Sequence, residues 1–184
     1  PGPAFITRAE KAFPWGGGAD SLKGLAKPGD VARLVVFDTW TRNCDRAPPP
    51  SHKRNLHYDN VLLSREGVRR GKLLLKAMDH THCFTCGAEL TSRLNGVDAV
   101  RDDGVYGLFP EFRPLIEADG LGQACADLRK ILREDLGVMV ASIPAPWGVS
   151  DSAKRALVAF LVERAEYVAG TLVGAVFPQG DLGV

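Results

Sequence analysis

Phe37-Asp38-Thr39-Trp40-Thr41-Arg42-Asn43-Cys44-Asp45-Arg46, then Tyr58-Asp59-Asn60-Val61-Leu62-Leu63, then Lys76-Ala77-Met78-Asp79-His80 is the stretch on which the reading of this chain turns. Asp30 stands where a helix N-cap belongs, and Val31, Leu34, Val35, Asp38 and Arg42 follow at helical spacing, so a buried helix is predicted to end near Asn43. Prolines 48–50 forbid its continuation, and Ala47 to His57 reads as a long polar loop. Val61 to Ser64 and Lys72 to Met78 are two short apolar runs on either side of the Gly-containing segment Arg65 to Gly71, which predicts a β-hairpin. Asn60 therefore sits at the mouth of one strand and Asp79 just past the other. Strand pairing turns their 19-residue separation into a short distance.

Outward from this centre the pattern is mainly helical. Pro110 to Ala118 reads as a short helix or turn, and Gln123 to Leu136 as an amphipathic helix closed by Gly137. The last helix is the best marked, with Ser150 as N-cap and Ala153, Ala156, Leu157, Phe160, Leu161, Ala165, Val168 and Leu172 on one stripe. Residues 1–29 form a loop-rich lead-in with the apolar anchors Phe5, Ile6, Phe13 and Trp15. Their Gly16-Gly17-Gly18 run lacks the Gly-Lys-Ser/Thr ending of a phosphate loop and reads as a turn. The expected fold is α+β, a mainly helical domain over 30–184 carrying a central hairpin.

Composition narrows the function. A chain of 184 residues, 45% hydrophobic and 24% charged, suits one globular domain and excludes collagen, low-complexity and wholly disordered chains. With 23 Lys+Arg against 22 Asp+Glu, bulk charge draws the chain neither to nucleic acid nor to a membrane surface. The longest apolar stretch, Tyr167 to Phe177, is shorter than the ~20 residues a bilayer requires. No basic-then-apolar leader is seen and four cysteines make no disulfide framework, so a reducing cytoplasm is the expected setting. The start at Pro1-Gly2-Pro3, without Met, is what a fragment or processed product would show.

The chemistry that these residues suit is phosphoryl transfer. A nucleoside triphosphate needs Mg²⁺ on its oxygens and one carboxylate aimed at the attacking hydroxyl. Two carboxylates ~4 Å apart repel by about 4 kcal/mol at an effective dielectric of 20, so Asp45 and Asp79 can converge only with cations beside them. Mg²⁺ prefers hard oxygen ligands and commonly takes one or two from the protein, a share that Asn60 and Asp79 can supply. Asp45 is then left for the hydroxyl, with Asp38, Asn43 and Arg46 bracing the loop that carries it. Asn55 is a rival to Asn60, although only Asn60 directly precedes the strand. From Arg42 to Lys76 there are nine Lys+Arg against three Asp+Glu, a local balance that favours a phosphate-bearing substrate and equally suits a charged loop and hairpin turn.

Asp45…Asn60-Val61-Leu62-Leu63…Asp79 resembles the catalytic loop, hairpin and metal-binding Asp of protein-kinase-like enzymes. The block Phe37-Asp38-x-Trp40-x-x-Asn43-x-Asp45-Arg46 with Asp79-His80-x-x-Cys83-Phe84 is most similar to the HipA-like kinases of bacteria. The likeness covers about residues 30–90. It implies ATP and Mg²⁺ as cofactors, a hydroxyl-bearing acceptor, Asp45 acting on that hydroxyl, and Asn60 with Asp79 on the metal. Asp79-His80-Thr81 replaces the Asp-Phe-Gly of ordinary protein kinases, which argues against a eukaryotic-type enzyme. Such a kinase also needs an N-terminal lobe with strands and a phosphate-pairing Lys. Lys11, Lys23 and Lys27 lie in no strand pattern, so the resemblance implies a C-terminal lobe that alone binds nucleotide weakly and turns over little.

Two other readings compete. His80-Thr81-His82-Cys83-Phe84-Thr85-Cys86 packs four possible zinc ligands, His80, His82, Cys83 and Cys86, into seven residues, with Cys44 or Cys125 available to complete a site. The plain alternative for these cysteines is free thiols with Cys83 buried. A kinase-like binding module without turnover shares the fold and differs only in its chemistry.

Overall fold

A computed structural model describes residues 9–178. Along them run β1 (Ala12–Pro14), α1 (Ala19–Leu22), α2 (Asp30–Thr41), β2 (Val61–Ser64), β3 (Leu74–Ala77), α3 (Cys83–Cys86), α4 (Val97–Val100), α5 (Ala118–Leu128), α6 (Arg133–Ala141) and α7 (Asp151–Val176), with four short 3₁₀ turns between them. The fold is α+β, about half helical, with one three-stranded antiparallel sheet. No helix among the described residues is long and apolar enough to cross a membrane.

The long helix α7 forms as its pattern demands. Ser150 Oγ accepts the Ala153 amide as N-cap, and every residue of the expected stripe from Ala153 to Leu172 is buried. That stripe packs on α2 and α5, and the core lies between these helices. α2 is buried on most of its circumference, so its apolar middle has no solvated face to spare. Its N-cap position is Gly29, which places Asp30 in the first turn, where a carboxylate still favours the helix dipole.

β2 and β3 are the expected hairpin, in the register Val61↔Ala77, Leu62↔Lys76, Leu63↔Leu75 and Ser64↔Leu74. Val61 and Leu63 turn to the core. The lead-in carries a strand that its sequence does not announce: Ala12–Pro14 pairs with β2, which becomes the central strand. Trp15 continues the attachment. Its amide donates to the Val61 carbonyl, and its buried ring stacks on Phe112 and meets Tyr58 and Phe109 edge-on. Leu22 and Leu25 also join the core. The anchors Phe5 and Ile6 lie outside the described residues.

The helix expected over Gln123–Leu136 is in fact two. α5 ends at Leu128 and α6 begins at Arg133, with Gly137 inside α6 and not closing it. The break falls where Ile131 and Leu132 are exposed, so the apolar positions that suggest continuity here face water.

Arg164 on α7 looks on paper like a solvated charge, yet it is fully buried. Its guanidinium donates to the carbonyls of Thr39 and Trp40 at the end of α2, and to those of Ala99, Val100 and Asp102 at the end of α4. The last carbonyls of a helix have no partner within it and carry its negative dipole end. One cation closes two such ends. Burial lowers the Arg164 pKa to about 10, which leaves it charged at neutral pH. Arg164→Met should therefore lose about 3 kcal/mol or more of stability, roughly a 6–12 °C fall in melting temperature by calorimetry. An unchanged melting temperature would contradict this assignment.

Candidate functional site

The site begins at the C-terminus of α2. Arg42 adopts a left-handed conformation (φ 53°, ψ 47°) that ends the helix, and its guanidinium reaches Asp102 at 2.7 Å. The Asn43 amide then donates to the Asp38 carbonyl at 2.9 Å, and its side chain to Asp38 Oδ1 at 3.2 Å. Asn43 Oδ1 in turn accepts the Asp45 amide at 3.2 Å. Asp38 and Asn43 thus brace the turn that presents Asp45.

Arg46 is buried to 0% exposure opposite Asp38, itself at 0%. Its Nε donates to Asp38 Oδ2 at 2.8 Å and Nη2 to Oδ1 at 2.7 Å, a two-pronged pair. The remaining nitrogen, Nη1, donates to the carbonyls of Met78 at 2.5 Å, Asn60 at 3.4 Å and Asp79 at 3.5 Å. A single guanidinium therefore joins the helix end to both strand ends of the hairpin. Gly107 belongs to the same packing: at φ +74°, a Cβ there would fall 2.5 Å from Asp38 Oδ2.

Asp45 and Asn60 meet directly, with Asn60 Nδ2 donating to Asp45 Oδ2 at 2.6 Å. On the other oxygen of Asp45 lie His57 Nδ1 at 3.1 Å and His82 Nδ1 at 3.8 Å. Asp79 follows one residue after the Met78–Asn60 pair, where the Met78 amide donates to the Asn60 carbonyl. It holds a left-handed backbone (φ 54°), and its Oδ1 accepts both the Thr81 hydroxyl at 2.6 Å and the Thr81 amide at 3.1 Å. The Thr81 hydroxyl, then its amide, hold the Asp79 carboxyl below the usual range. Thr81 Oγ1 lies 3.2 Å from His82 Nδ1, so polar contacts run from Asp79 through Thr81 and His82 to Asp45.

Beside Asp45 opens a cavity of about 310 Å³, lined by Cys44, Asp45, Lys53, Arg54, Asn55 and His57. Its wall is mostly basic or polar. Asn55 faces this cavity, while Asn60 is the amide that touches Asp45.

The cluster His80, His82, Cys83 and Cys86 does not gather. His80 sits edge-on to Phe37, and desolvation followed by the Arg46 charge holds its imidazole below the ordinary value. Cys83 is buried against the Thr41 hydroxyl, and burial pushes its thiol up to about 11, so it is inert. Cys86 instead forms a disulfide with Cys44 across 42 residues, which corrects the free-thiol reading for both; Cys83 and Cys125 are free and buried. Among the described residues, the group of Cys, His, Asp or Glu whose ligand atoms lie within 4.8 Å of one another is Cys44, His52 and Cys86. A seven-residue turn cannot present four ligands to one point, whereas three segments folded together present three.

His57, His52 and Thr81 escaped the sequence reading as site residues. None occupies a position whose spacing announces a role: the fold of the Ala47–His57 loop brings His57 to Asp45 and His52 to Cys44 and Cys86, while Thr81 bonds Asp79 two residues before it. Comparisons of the chain with protein-family models, with curated proteins and with solved structures find no match.

Arg46→Met would leave Asp38 charged, buried and unpaired, at a cost of about 3–5 kcal/mol in denaturant unfolding. A loss within ~0.5 kcal/mol would mean that the pair does not hold the site. Thr81→Val should raise the Asp79 pKa toward its ordinary value, read by carboxyl NMR titration. Because the folded pKa is the lower one, the Thr81 contribution to stability is present above the unfolded Asp pKa and disappears as pH falls through the folded value. No upward movement in the variant would refute the Thr81 assignment.

Proposed function

We propose that the chain is the phosphotransferase lobe of a HipA-like kinase, transferring the γ-phosphoryl group of ATP to a hydroxyl acceptor. The observation that carries this reading is the meeting of Asp45 with Asn60 at 2.6 Å, next to a basic cavity and where the Asn60 carbonyl pairs with the strand end leading to Asp79. The motif resemblance and the nearby Lys53 and Arg54 support it.

Asn60 and Asp79 fit Mg²⁺ as donors. One amide oxygen and one ionised carboxylate are the hard, sparing share that this ion takes from a protein, and the lowered Asp79 pKa keeps its charge at neutral pH. Bound there, Mg²⁺ supplies charge neutralisation for the triphosphate oxygens. The chain's own groups do the rest. Asp45 accepts the proton of the acceptor hydroxyl at its carboxylate, and Asn60 and His57 fix the direction of that carboxylate. Lys53 and Arg54 draw the phosphates toward the cavity, while the Asp38–Arg46 pair keeps the strand ends from separating. A cytoplasmic setting goes with this reading, since ATP is available there.

Asp45→Asn should reduce phosphoryl transfer from ATP by at least ~10²-fold with nucleotide affinity little changed, because only the proton acceptor is lost. Asp79→Asn should instead weaken Mg²⁺-dependent binding of a fluorescent ATP analogue. Normal turnover in Asp45→Asn removes Asp45 from the mechanism. Binding of nucleotide without turnover in the unsubstituted chain would leave a nucleotide-binding module and no phosphotransferase.

A further inference from the structure

Cys44, His52 and Cys86 come from three segments: the turn after α2, the Pro-rich loop, and α3. Their ligand atoms lie within 4.8 Å of one another. A disulfide needs only the two sulfurs, so the imidazole beside them is the informative feature. His52 ends the 3₁₀ turn Pro50–His52, behind the run Pro48-Pro49-Pro50, and its ring lies edge-on to Tyr106 at 5.6 Å. Proline fixes φ and removes backbone freedom, so His52 is held near the sulfurs by a stiff segment. The cavity beside Asp45 reaches Cys44 and gives a small ion a way in.

We propose that Cys44, Cys86 and His52 form a zinc site when the cysteines are reduced, with water as fourth ligand. Two thiolates and an imidazole are the soft donor set that zinc takes in preference to magnesium. With Zn–S of ~2.3 Å and Zn–N of ~2.0 Å, tetrahedral ligand atoms stand roughly 3.5–3.8 Å apart, so an imidazole within 4.8 Å of the sulfurs has at most about 1.3 Å to close, while the two sulfurs move apart when their bond is reduced. The Cα atoms of Cys44 and Cys86, 5.6 Å apart, already bring both side chains to one point.

The step balances. The Cys44–Cys86 bond accepts two electrons and two protons from a dithiol reductant, which becomes a disulfide, and both thiol protons pass to water as zinc binds. Either state ties the turn before Asp45 to the segment after Asp79, but only the zinc form also recruits the Pro-rich loop. The site rests on sulfur and imidazole chemistry and not on the phosphotransfer reading, and each can fail while the other stands.

The test is a zinc titration against a chromophoric chelator, on the chain reduced with a phosphine and freed of metal. The expected result is one equivalent bound, at least ~10-fold weaker in His52→Ala, weaker still in Cys86→Ser, and absent after oxidation of the pair. Cobalt substitution gives an independent readout: thiolate-to-cobalt charge-transfer absorption in the reduced chain, lost in Cys86→Ser. Circular dichroism verifies that each variant is folded. Zinc bound no more tightly by the reduced chain than by Cys86→Ser overturns the site, and equal affinity in folded His52→Ala removes His52 from it.

Discussion

The buried pair Asp38–Arg46 constrains everything around it. Both side chains are at 0% exposure, so neither charge can turn to water if the other moves. A charge withdrawn from solvent is tolerated only when its partner and its remaining hydrogen bonds are all in place. Arg46 meets that demand with the Asp38 carboxylate and with carbonyls of Asn60, Met78 and Asp79. The guanidinium is rigid and planar, so its satisfaction fixes the hairpin ends relative to α2. Gly107, whose absent side chain makes room for Asp38, shows how closely the surroundings follow.

From this clamp the candidate site follows by short steps. The turn that buries Arg46 leaves its neighbour Asp45 partly buried at the cavity wall, and Asn43 ties the Asp45 backbone to Asp38. The hairpin that supplies carbonyls to Arg46 also carries Asn60 and Asp79 on its two ends. The Asp45 carboxylate lies among His57, His82, Lys53 and Arg54, while that of Asp79 is held by Thr81, which in turn touches His82. The left-handed backbones of Arg42 and Asp79 lie at the two places where the chain must turn sharply into this arrangement.

The centre of this arrangement could be read from the sequence because it depends on strand pairing and helix endings, which leave periodic and proline signals. The stripe of α7, the Ser150 cap and the existence of the hairpin all belong to that class. The rest depends on contacts between distant segments. β1 has three residues, too few to show alternation, and is a strand because β2 offers it an edge. Arg164 reads as one more helix charge until the ends of α2 and α4 are placed beside it. Nothing local distinguishes Cys86, which meets Cys44, from Cys83, which stays a buried thiol. Ile131 and Leu132 mislead in the other direction, since apolar residues that continue a helical pattern mark here the gap between α5 and α6.

The central claim is that Asp45, Asn60 and Asp79 surround one site for a metal-bound triphosphate. Anomalous scattering from manganese, in crystals grown with a non-hydrolysable ATP analogue, tests it most directly. The account predicts a manganese peak in contact with Asn60 and Asp79, with the terminal phosphate facing Asp45. A peak bound elsewhere, or electron density placing these three side chains around no common ligand, would contradict it.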